Sequence, residues 1–286
     1  MHVLTAEQKE QFWAQGYLVV EDAVDKKLLQ ALKDDFANWT QESREHNQPY
    51  GQTIDSRPRF DLAIGHTSEK PELRRINAPV EISQAYYNAM ASSKITDCVA
   101  DLIGPNIKLH HSKINSKLPG GKTQVKWHQD FPFTPHSNDD LITALLMLDD
   151  VTLENGPLEV VAGSHKEAIH GLWQNGIFSG SVNEELTKDC QQRATTCTGT
   201  AGAVCLMHTR LLHGSKPNTG KDPRTLFITV YSAEDAIPYS SNPMPSKYEG
   251  LIVRGEATNT VRSIAYAMDL PEKPTTASFF DQQAMG

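Results

Sequence analysis

The chain has 286 residues, a length that favours one large domain or two small ones able to bury a core without disulfides or structural metals. Hydrophobic residues make up 38% and charged residues 22%, which disfavours both a disordered chain and a membrane protein. The formal net charge of −8 is a poor match to phosphate backbones, so nucleic acid is not the expected partner.

The first residues show no basic stretch followed by an apolar one, and no apolar run approaches the roughly 20 residues of a membrane span. We therefore expect a cytoplasmic protein that does not insert into membranes. The four cysteines, Cys98, Cys190, Cys197 and Cys205, form no C-x-x-C pair, which indicates reduced and buried thiols. The sequence has no heptad repeat, so it does not predict an oligomeric state.

The N-terminal part of the chain, residues 1–104, has mostly helical patterns. Thr5 followed by Gln8 is a capping box that predicts a helix start, Gly16 predicts its end, and residues 17–20 have the composition of a short strand. Apolar spacing then predicts helices from about 25 to 39 and from about 79 to 102, the second with Ile82 on its buried face. The polar stretch 41–68 between them predicts a long loop.

After residue 104 the pattern changes to short apolar runs separated by turn residues. Strands are predicted at 107–115, 123–128, 141–148, 158–161, 203–207 and 225–231. Residues 164–200 mix helical and loop patterns, which predicts an insertion. Residues 236–255 lack periodicity, which predicts a mobile segment that covers the site. The chain therefore predicts one domain over 1–286, in which a helical layer packs on a β-sandwich core at 105–235, followed by a lid-like loop, a final strand and a tail at 236–286.

A first candidate for chemistry is the sequence Trp127-His128-Gln129-Asp130 at the end of a predicted strand. Residues i and i+2 of an extended segment point to the same side, so His128 and Asp130 are placed to bind one divalent ion. Such a short motif also arises where a strand-end histidine stands beside a turn aspartate, and by itself it does not decide between the two.

A second candidate is His213, which would supply a third ligand from a distant strand. Two histidines and one carboxylate occupy one face of an octahedral ion and leave three positions open, as in non-haem iron(II) oxygenases. His208 is the rival ligand, but it precedes His213 by five residues and would face the other side of a strand. Arg224 begins the next strand, and its planar guanidinium is suited to binding a carboxylate through two parallel hydrogen bonds.

Together with Gly156-Pro157-Leu158 and Gly163-Ser164-His165-Lys166, these residues resemble the phytanoyl-CoA dioxygenase family. The resemblance implies a mainly β fold, the double-stranded β-helix of jelly-roll and cupin-like proteins, with N-terminal helices on one face. It also implies an enzyme that uses iron(II), 2-oxoglutarate and O2 to oxidise, by default to hydroxylate, a C–H bond of a small-molecule metabolite. Succinate and carbon dioxide would be released from 2-oxoglutarate.

The resemblance also assigns roles by position. The assigned residues are His128, Asp130 and His213 as iron ligands, and Arg224, Ser215, Asn115 and Gln129 as contacts of 2-oxoglutarate. The carboxylate at Asp130 favours hydroxylation over halogenation, because halogenating relatives lack it. The stretch 110–130 is most similar to the ectoine hydroxylase branch, but His111 and residues 131–134 depart from that branch, so ectoine is not the expected substrate.

The substrate pocket is predicted less sharply than the metal ligands. Candidate lining residues are Lys113, His111, Phe131, Phe133 and Arg59, and the two phenylalanines fit the core equally well. Two other functions compete with the oxygenase: a jelly-roll isomerase or hydrolase that does not use 2-oxoglutarate, and a non-catalytic metal-binding relative. The identity of the substrate and the choice between hydroxylation, desaturation, epoxidation and cyclisation stay open.

Overall fold

The computed structural model describes residues 2–272 and 283. Its α-helices are α1 (Ala6–Gln15), α2 (Lys26–Glu42), α3 (Gln84–Ser92), α4 (Lys94–Ile103) and α5 (Glu184–Arg193). Its strands are β1 (Tyr17–Val20), β2 (Phe60–Leu62), β3 (Leu73–Asn77), β4 (Ile107–Lys117), β5 (Val125–His128), β6 (Leu141–Met147), β7 (Leu158–Val160), β8 (Trp173–Gln174), β9 (Ile177–Phe178), β10 (Thr195–Cys197), β11 (Val204–His208), β12 (His213–Ser215), β13 (Arg224–Ala233) and β14 (Ile252–Arg254).

The first two helices begin at polar capping residues. The Thr5 side chain accepts a hydrogen bond from the Gln8 amide, and the Gln8 side chain accepts one from the Thr5 amide at 2.9 Å, which completes the predicted capping box. Gly16 ends α1 with a φ of +83°, a left-handed conformation that glycine adopts without strain. Asp25 caps α2 by accepting a hydrogen bond from the Leu28 amide at 2.7 Å. The predicted start of each helix is confirmed.

The helix predicted from 79 to 102 is two helices. Ser93 ends α3 and caps α4, because its hydroxyl donates to the Ala89 carbonyl at 2.6 Å and accepts from the Ile95 amide at 3.3 Å. Ile82 lies in the short turn before α3 with 43% of its surface exposed, so its predicted place in the buried stripe was wrong. The apolar period continued across the break because both helices pack on the same sheet.

Two antiparallel sheets form the core of the protein. The larger runs in the order β1-β11-β6-β13-β4-β3-β2, with β14 pairing to β4, and the smaller in the order β10-β7-β12-β5. Strands β8 and β9 form a separate hairpin. The sandwich with helices on one face confirms the predicted fold class.

Side chains along each strand of the larger sheet point alternately to its two faces, so the sheet contributes to two apolar cores. On β13, Phe227 and Tyr231 belong to the apolar core under the helices, whereas Leu226 and Ile228 belong to the core between the sheets. The Tyr231 hydroxyl donates to the Met90 carbonyl of α3 at 2.7 Å, which ties the helical layer to the sheet. The central strands are buried on both faces, so they are apolar along their whole length.

Two regions differ from the sequence prediction. The predicted loop at 41–68 includes the last turn of α2 and all of β2, and β3 follows it as a strand that the sequence analysis missed. Arg74 and Arg75 interrupt the apolar pattern of β3; Arg74 pairs with Asp61, and Arg75 donates to the Asn77 side chain. The predicted insertion at 164–200 contains the β8–β9 hairpin, α5 and β10.

The described end of the chain, from 236 to 272, has one strand, β14. The Asn242 side chain donates to the His110 carbonyl at 2.8 Å, and the Lys247 amide donates to the Glu81 carboxylate at 2.7 Å. These bonds fasten the predicted cover to β4 and to the helical layer. The remainder of the predicted tail, 273–286 except residue 283, lies outside the described residues.

Candidate active site

Two strands of the smaller sheet bring His128 and His213 side by side. His128 is the last residue of β5, His213 is the first of β12, and the two face each other in the antiparallel register. Their ring centroids are 4.1 Å apart. Asp130 follows immediately before a short 3₁₀ turn, and its carboxylate lies beside both rings.

The three side chains converge through specific atoms. Oδ1 of Asp130 lies 3.5 Å from Nε2 of His128 and 3.6 Å from Nε2 of His213. Nδ1 of each histidine is hydrogen-bonded to a backbone carbonyl, that of Lys126 at 2.8 Å and that of Leu211 at 2.9 Å. A carbonyl only accepts, so each Nδ1 carries the proton and each Nε2 lone pair faces the shared point.

The second oxygen of Asp130 is held in place. Oδ2 accepts a hydrogen bond from the Thr143 hydroxyl at 2.7 Å, which leaves Oδ1 towards the two imidazoles. Burial raises the pKa of the Asp130 carboxyl. The electrostatic effect of His213 opposes it, as do a hydrogen bond and the charge of His128, and together they hold this pKa well below its usual range. Burial, and then the proximity of His128, lowers the pKa of His213 to about 4. At neutral pH this site therefore offers an ionised carboxylate and a neutral His213.

These donors fit iron(II). Two imidazole nitrogens and one carboxylate oxygen form the facial arrangement that leaves the rest of an octahedral metal open to ligands. Among residues 2–272 and 283, His128, Asp130 and His213 are the one group of three or more potential metal ligands of the His, Cys, Asp and Glu types, all within 4.8 Å of one another. His208, the rival ligand, is not part of this group; its Nδ1 accepts a hydrogen bond from the backbone amide of Arg210 at 3.1 Å.

The three residues lie at the wall of a cavity that is lined by both sheets and is partly open to solvent. Arg224 on β13 and Lys117 on β4 lie opposite each other and also line the cavity. These two residues form its basic end. Nε and Nη2 of Arg224 donate to the Gly156 carbonyl at 3.0 and 2.8 Å. The Lys117 ammonium donates to the Ser215 hydroxyl at 2.6 Å and to the Lys216 carbonyl.

The basic end is electrostatically prepared for an anion. Both basic side chains are 4% exposed. Burial, and then the charge of Arg224, lowers the pKa of Lys117 to about 6. Burial also lowers the pKa of Arg224 to about 10, against the opposing effect of Asp149. A carboxylate placed between these groups would satisfy both, because the guanidinium and the ammonium donate and a carboxylate accepts.

Five other predicted residues line the cavity. Four of them are Asn115, Lys113, His111 and Phe133. The first three alternate along β4 with Lys117, so their common face follows from the period of a strand. Ser215 also lines the cavity, two residues after His213.

The prediction for Gln129 is corrected. Its Nε2 donates to the Arg210 carbonyl at 2.6 Å and to the Ala168 carbonyl at 3.1 Å, while its Oε1 accepts from the His170 amide at 2.8 Å. It lies between two residues that face the site, so alternation turns it the other way. Gln129 therefore joins the loop after β7 to the turn before β12 and is absent from the described cavity wall.

Arg59 and Phe131 are corrected in the same way. Arg59 is buried and pairs with Glu81 at 2.6 Å, and it donates to the Ala78 carbonyl at 2.8 Å, so it fastens β2 to the helical layer. Phe131 is fully buried in a small core with Leu141 and does not line the cavity. For this residue the core alternative was right.

Sequence reasoning missed several lining residues. They are Thr143, Lys117, Arg75, Arg57, Pro243 and Met244. Continued alternation from Asn115 would have found Lys117. Thr143 carried no signal within its apolar strand, and the other four come from segments whose course was not predicted.

A jelly-roll sandwich that holds two histidines and one aspartate at a cavity wall defines the non-haem iron(II) oxygenase class. Residues 12–226 match the family model "Phytanoyl-CoA dioxygenase (PhyH)". The chain belongs to this family, and it is a 2-oxoglutarate-dependent, non-haem iron dioxygenase.

Individual relatives agree with the family. A probable alpha-ketoglutarate-dependent hypophosphite dioxygenase of Stutzerimonas stutzeri is 30% identical over 93% of this chain and 92% of its own length. The ectoine dioxygenase of Halomonas elongata is 27% identical over 81% of this chain and 71% of its own. The crystal structure of EctD from S. alaskensis in its apoform shares the fold, with a TM-score of 0.69 and 22% identity over 90% of this chain and 89% of that one.

Proposed function

We propose that His128, Asp130 and His213 hold iron(II) and that Arg224, Lys117 and Ser215 bind the distal carboxylate of 2-oxoglutarate, in an enzyme that hydroxylates a C–H bond of a small molecule. The supporting observation is that one cavity has three converging metal donors on its wall and two buried basic side chains, Arg224 and Lys117, at one end. Asn115 is a further proposed contact of 2-oxoglutarate, because it faces the same cavity from β4.

The chain's own groups position the reactants. When bound, iron(II) and 2-oxoglutarate supply the oxidising power by reacting with O2, with release of succinate and carbon dioxide. Thr143 keeps Asp130 turned towards the metal position, and the Gly156 carbonyl fixes the guanidinium of Arg224. Apolar residues of both sheets, such as Leu145 and Leu158, limit the water that reaches the reacting bond.

An anaerobic titration of 2-oxoglutarate into the iron(II)-loaded protein tests this proposal. Chelation of the metal by the keto acid produces a weak visible charge-transfer band, which should saturate in the unaltered protein. We expect Arg224→Ala to need at least about tenfold more 2-oxoglutarate, since a charge-assisted pair is lost. His213→Ala should show no band.

Arg193→Ala is the matched control. Arg193, the last residue of α5, forms a surface ion pair with Glu167 and is not among the residues that line the cavity. It should titrate like the unaltered protein. Absence of the band from protein shown to contain iron would refute the assignment of 2-oxoglutarate to this site.

The place of action is also a proposal. All four cysteines are free and buried, which is in keeping with a reducing compartment such as the cytoplasm. No helix in the described part of the chain is long and apolar enough to cross a membrane.

A further inference from the structure

The short segment that leads to His213 is held by hydrogen bonds at every backbone group. Strand β11 ends at His208 and β12 begins at His213, so residues 209–212 belong to neither strand. Each of the four backbone amides and four backbone carbonyls of this segment has a hydrogen-bond partner. Because an unpaired backbone group is costly in the interior, this pattern holds the segment in one conformation.

One peptide group of this segment contacts both His213 and Ser164. Its carbonyl, which belongs to Leu211, accepts a hydrogen bond from Nδ1 of His213 at 2.9 Å. Its amide, which belongs to Leu212, donates to the Ser164 hydroxyl at 2.9 Å. The carbonyl and the amide of a trans peptide point in opposite directions from one plane. A rotation of this plane would therefore break both hydrogen bonds.

The other histidine of the site is oriented without such help. The carbonyl that accepts from Nδ1 of His128 belongs to Lys126, which is part of strand β5. The Leu211 carbonyl lies outside the strands, and the amide of the same peptide has a side chain as its partner. The orientation of His213 thus depends on a side chain, whereas that of His128 depends on a strand.

Ser164 is fully buried at the start of the short 3₁₀ turn Ser164–Lys166. Gly163 precedes it with a φ of +84°, and the Gly163 amide donates to the Gln15 carbonyl at the end of α1 at 2.8 Å. The sequence Gly163-Ser164-His165-Lys166 therefore joins α1 to the segment before His213. These four residues are absent from the described cavity wall, so Ser164 can act on the metal site only through another residue.

We propose that Ser164 is a positioning residue of the metal site, which orients the imidazole of His213 through the peptide between Leu211 and Leu212. This inference rests on the proposed function, because it requires His213 to bind the metal. Hydrogen bonds in a chain polarise one another, so the bond to Ser164 also strengthens the bond between this peptide and His213. Loss of the hydroxyl would leave the buried Leu212 amide unpaired and would hold the peptide plane on one side only.

Metal binding and folding, measured separately, test the proposal. The dissociation constant of iron(II) is measured anaerobically by competition with a chelator, and the stability of the metal-free protein is measured by urea unfolding. Ser164→Ala should weaken iron(II) binding at least about threefold. Groups that contact a metal ligand directly typically change the affinity by about 10- to 100-fold, and Ser164 is one peptide further away. Ser164→Thr keeps the hydroxyl and should restore most of the affinity.

Ser83→Ala is the matched control. The Ser83 hydroxyl likewise accepts a hydrogen bond from a buried backbone amide, that of Tyr86 at 3.1 Å. Ser83 caps α3 in the helical layer and does not line the cavity. Its replacement should lower the free energy of unfolding of the metal-free protein, as Ser164→Ala should, but leave the iron(II) affinity unchanged.

The outcomes separate the positioning role from the proposed function. Normal iron(II) affinity in Ser164→Ala, or an equal loss of affinity in Ser83→Ala, overturns the positioning role and leaves the proposed function standing. An equal loss in Ser164→Thr also overturns it, because that variant retains the hydroxyl. If His213→Ala binds iron(II) as tightly as the unaltered protein, the proposed function itself is wrong.

Discussion

At the scale of single residues, the proposed metal site depends on a side chain that binds no metal. Thr143 donates to Oδ2 of Asp130 at 2.7 Å and so selects the oxygen that faces the two histidines. Residues that orient a metal ligand typically change metal affinity by about 10- to 100-fold when they are lost. A threonine within an apolar strand is therefore part of the site.

Thr143→Val should weaken iron(II) binding by about tenfold or more, because it removes this hydroxyl at nearly constant volume. Thr143→Ser keeps the hydroxyl and should bind iron nearly normally. The dissociation constant is measured anaerobically by competition with a chelator. Equal affinity in the valine and serine variants would contradict the orienting role.

Lys117 predicts a proton uptake when 2-oxoglutarate binds. With a pKa of about 6 it is largely neutral at pH 8, since burial and Arg224 lower the pKa more than Glu159 raises it. A carboxylate beside it favours the ammonium and raises that pKa, so binding at pH 8 should take up as much as one proton. At pH 5 the ammonium is already charged, and the uptake should disappear.

Anaerobic calorimetry in two buffers of different ionisation enthalpy measures this uptake. Lys117→Met should abolish it. Identical binding heats in the two buffers at pH 8 would show that Lys117 does not change its protonation state.

At the scale of elements, the turn before β7 supports the basic end. Gly156 has a φ of +77°, and a Cβ there would lie 2.7 Å from the Lys216 carbonyl oxygen and 3.0 Å from Cδ of Lys117. Its carbonyl also accepts both hydrogen bonds of Arg224. The turn therefore requires glycine for its conformation and for its close approach to the Lys216 backbone and the Lys117 side chain.

Gly156→Ala should lower the free energy of unfolding by about 2–4 kcal/mol, of which about 1–2 kcal/mol comes from the left-handed conformation. Gly120→Ala is the matched control: its φ is +71°, but nothing lies within 4 Å of a Cβ there. Urea unfolding of both variants separates the two effects. If both variants lose the same free energy, the close approach at Gly156 costs nothing.

Elements built from local signals were predictable from the sequence. The capping box at Thr5 and the glycine at position 16 fix α1, and uninterrupted apolar runs indicate β6 and β11, which are buried on both faces. Strand β3 was missed because Arg74 and Arg75 pair with partners distant in sequence. A strand of polar residues buried by tertiary contacts has no local signature.

Some residues of the site were likewise predictable from local sequence, and others were not. His128 and Asp130 were predictable because they are two residues apart on one extended segment, and Arg224 because it begins a strand. Gln129 was misplaced because its role was assigned by resemblance, whereas strand alternation turns its side chain away from the cavity. Arg75 and Met244 were out of reach, since only the folded chain brings β3 and the cover together. Assignment of the ligand roles and the one-domain organisation stay predictions.

At the scale of the whole molecule, ligand binding should stabilise the fold. A ligand present at about 100 times its Kd, and bound only by the folded state, adds about 2.7 kcal/mol to the free energy of unfolding. Manganese(II) with 2-oxoglutarate should therefore raise Tm, and 2-oxoglutarate without metal should raise it less. Calorimetric melting measures both shifts. Asp130→Asn should lose the metal-dependent part, and an unchanged shift in that variant would contradict metal binding at Asp130.

The register of β4 has one more consequence. Lys113 and Lys117 are four residues apart, and from Ile228 to Arg224 the pairing with β13 runs without a shift. At about 3.3 Å per residue, this places their backbones about 13 Å apart. The separation of these two lysines along the cavity wall is therefore set by backbone pairing and is independent of loop length. Redesign of the cover could change the width or polarity of the entrance, whereas the separation of the two charges would change only if the sheet itself were rebuilt.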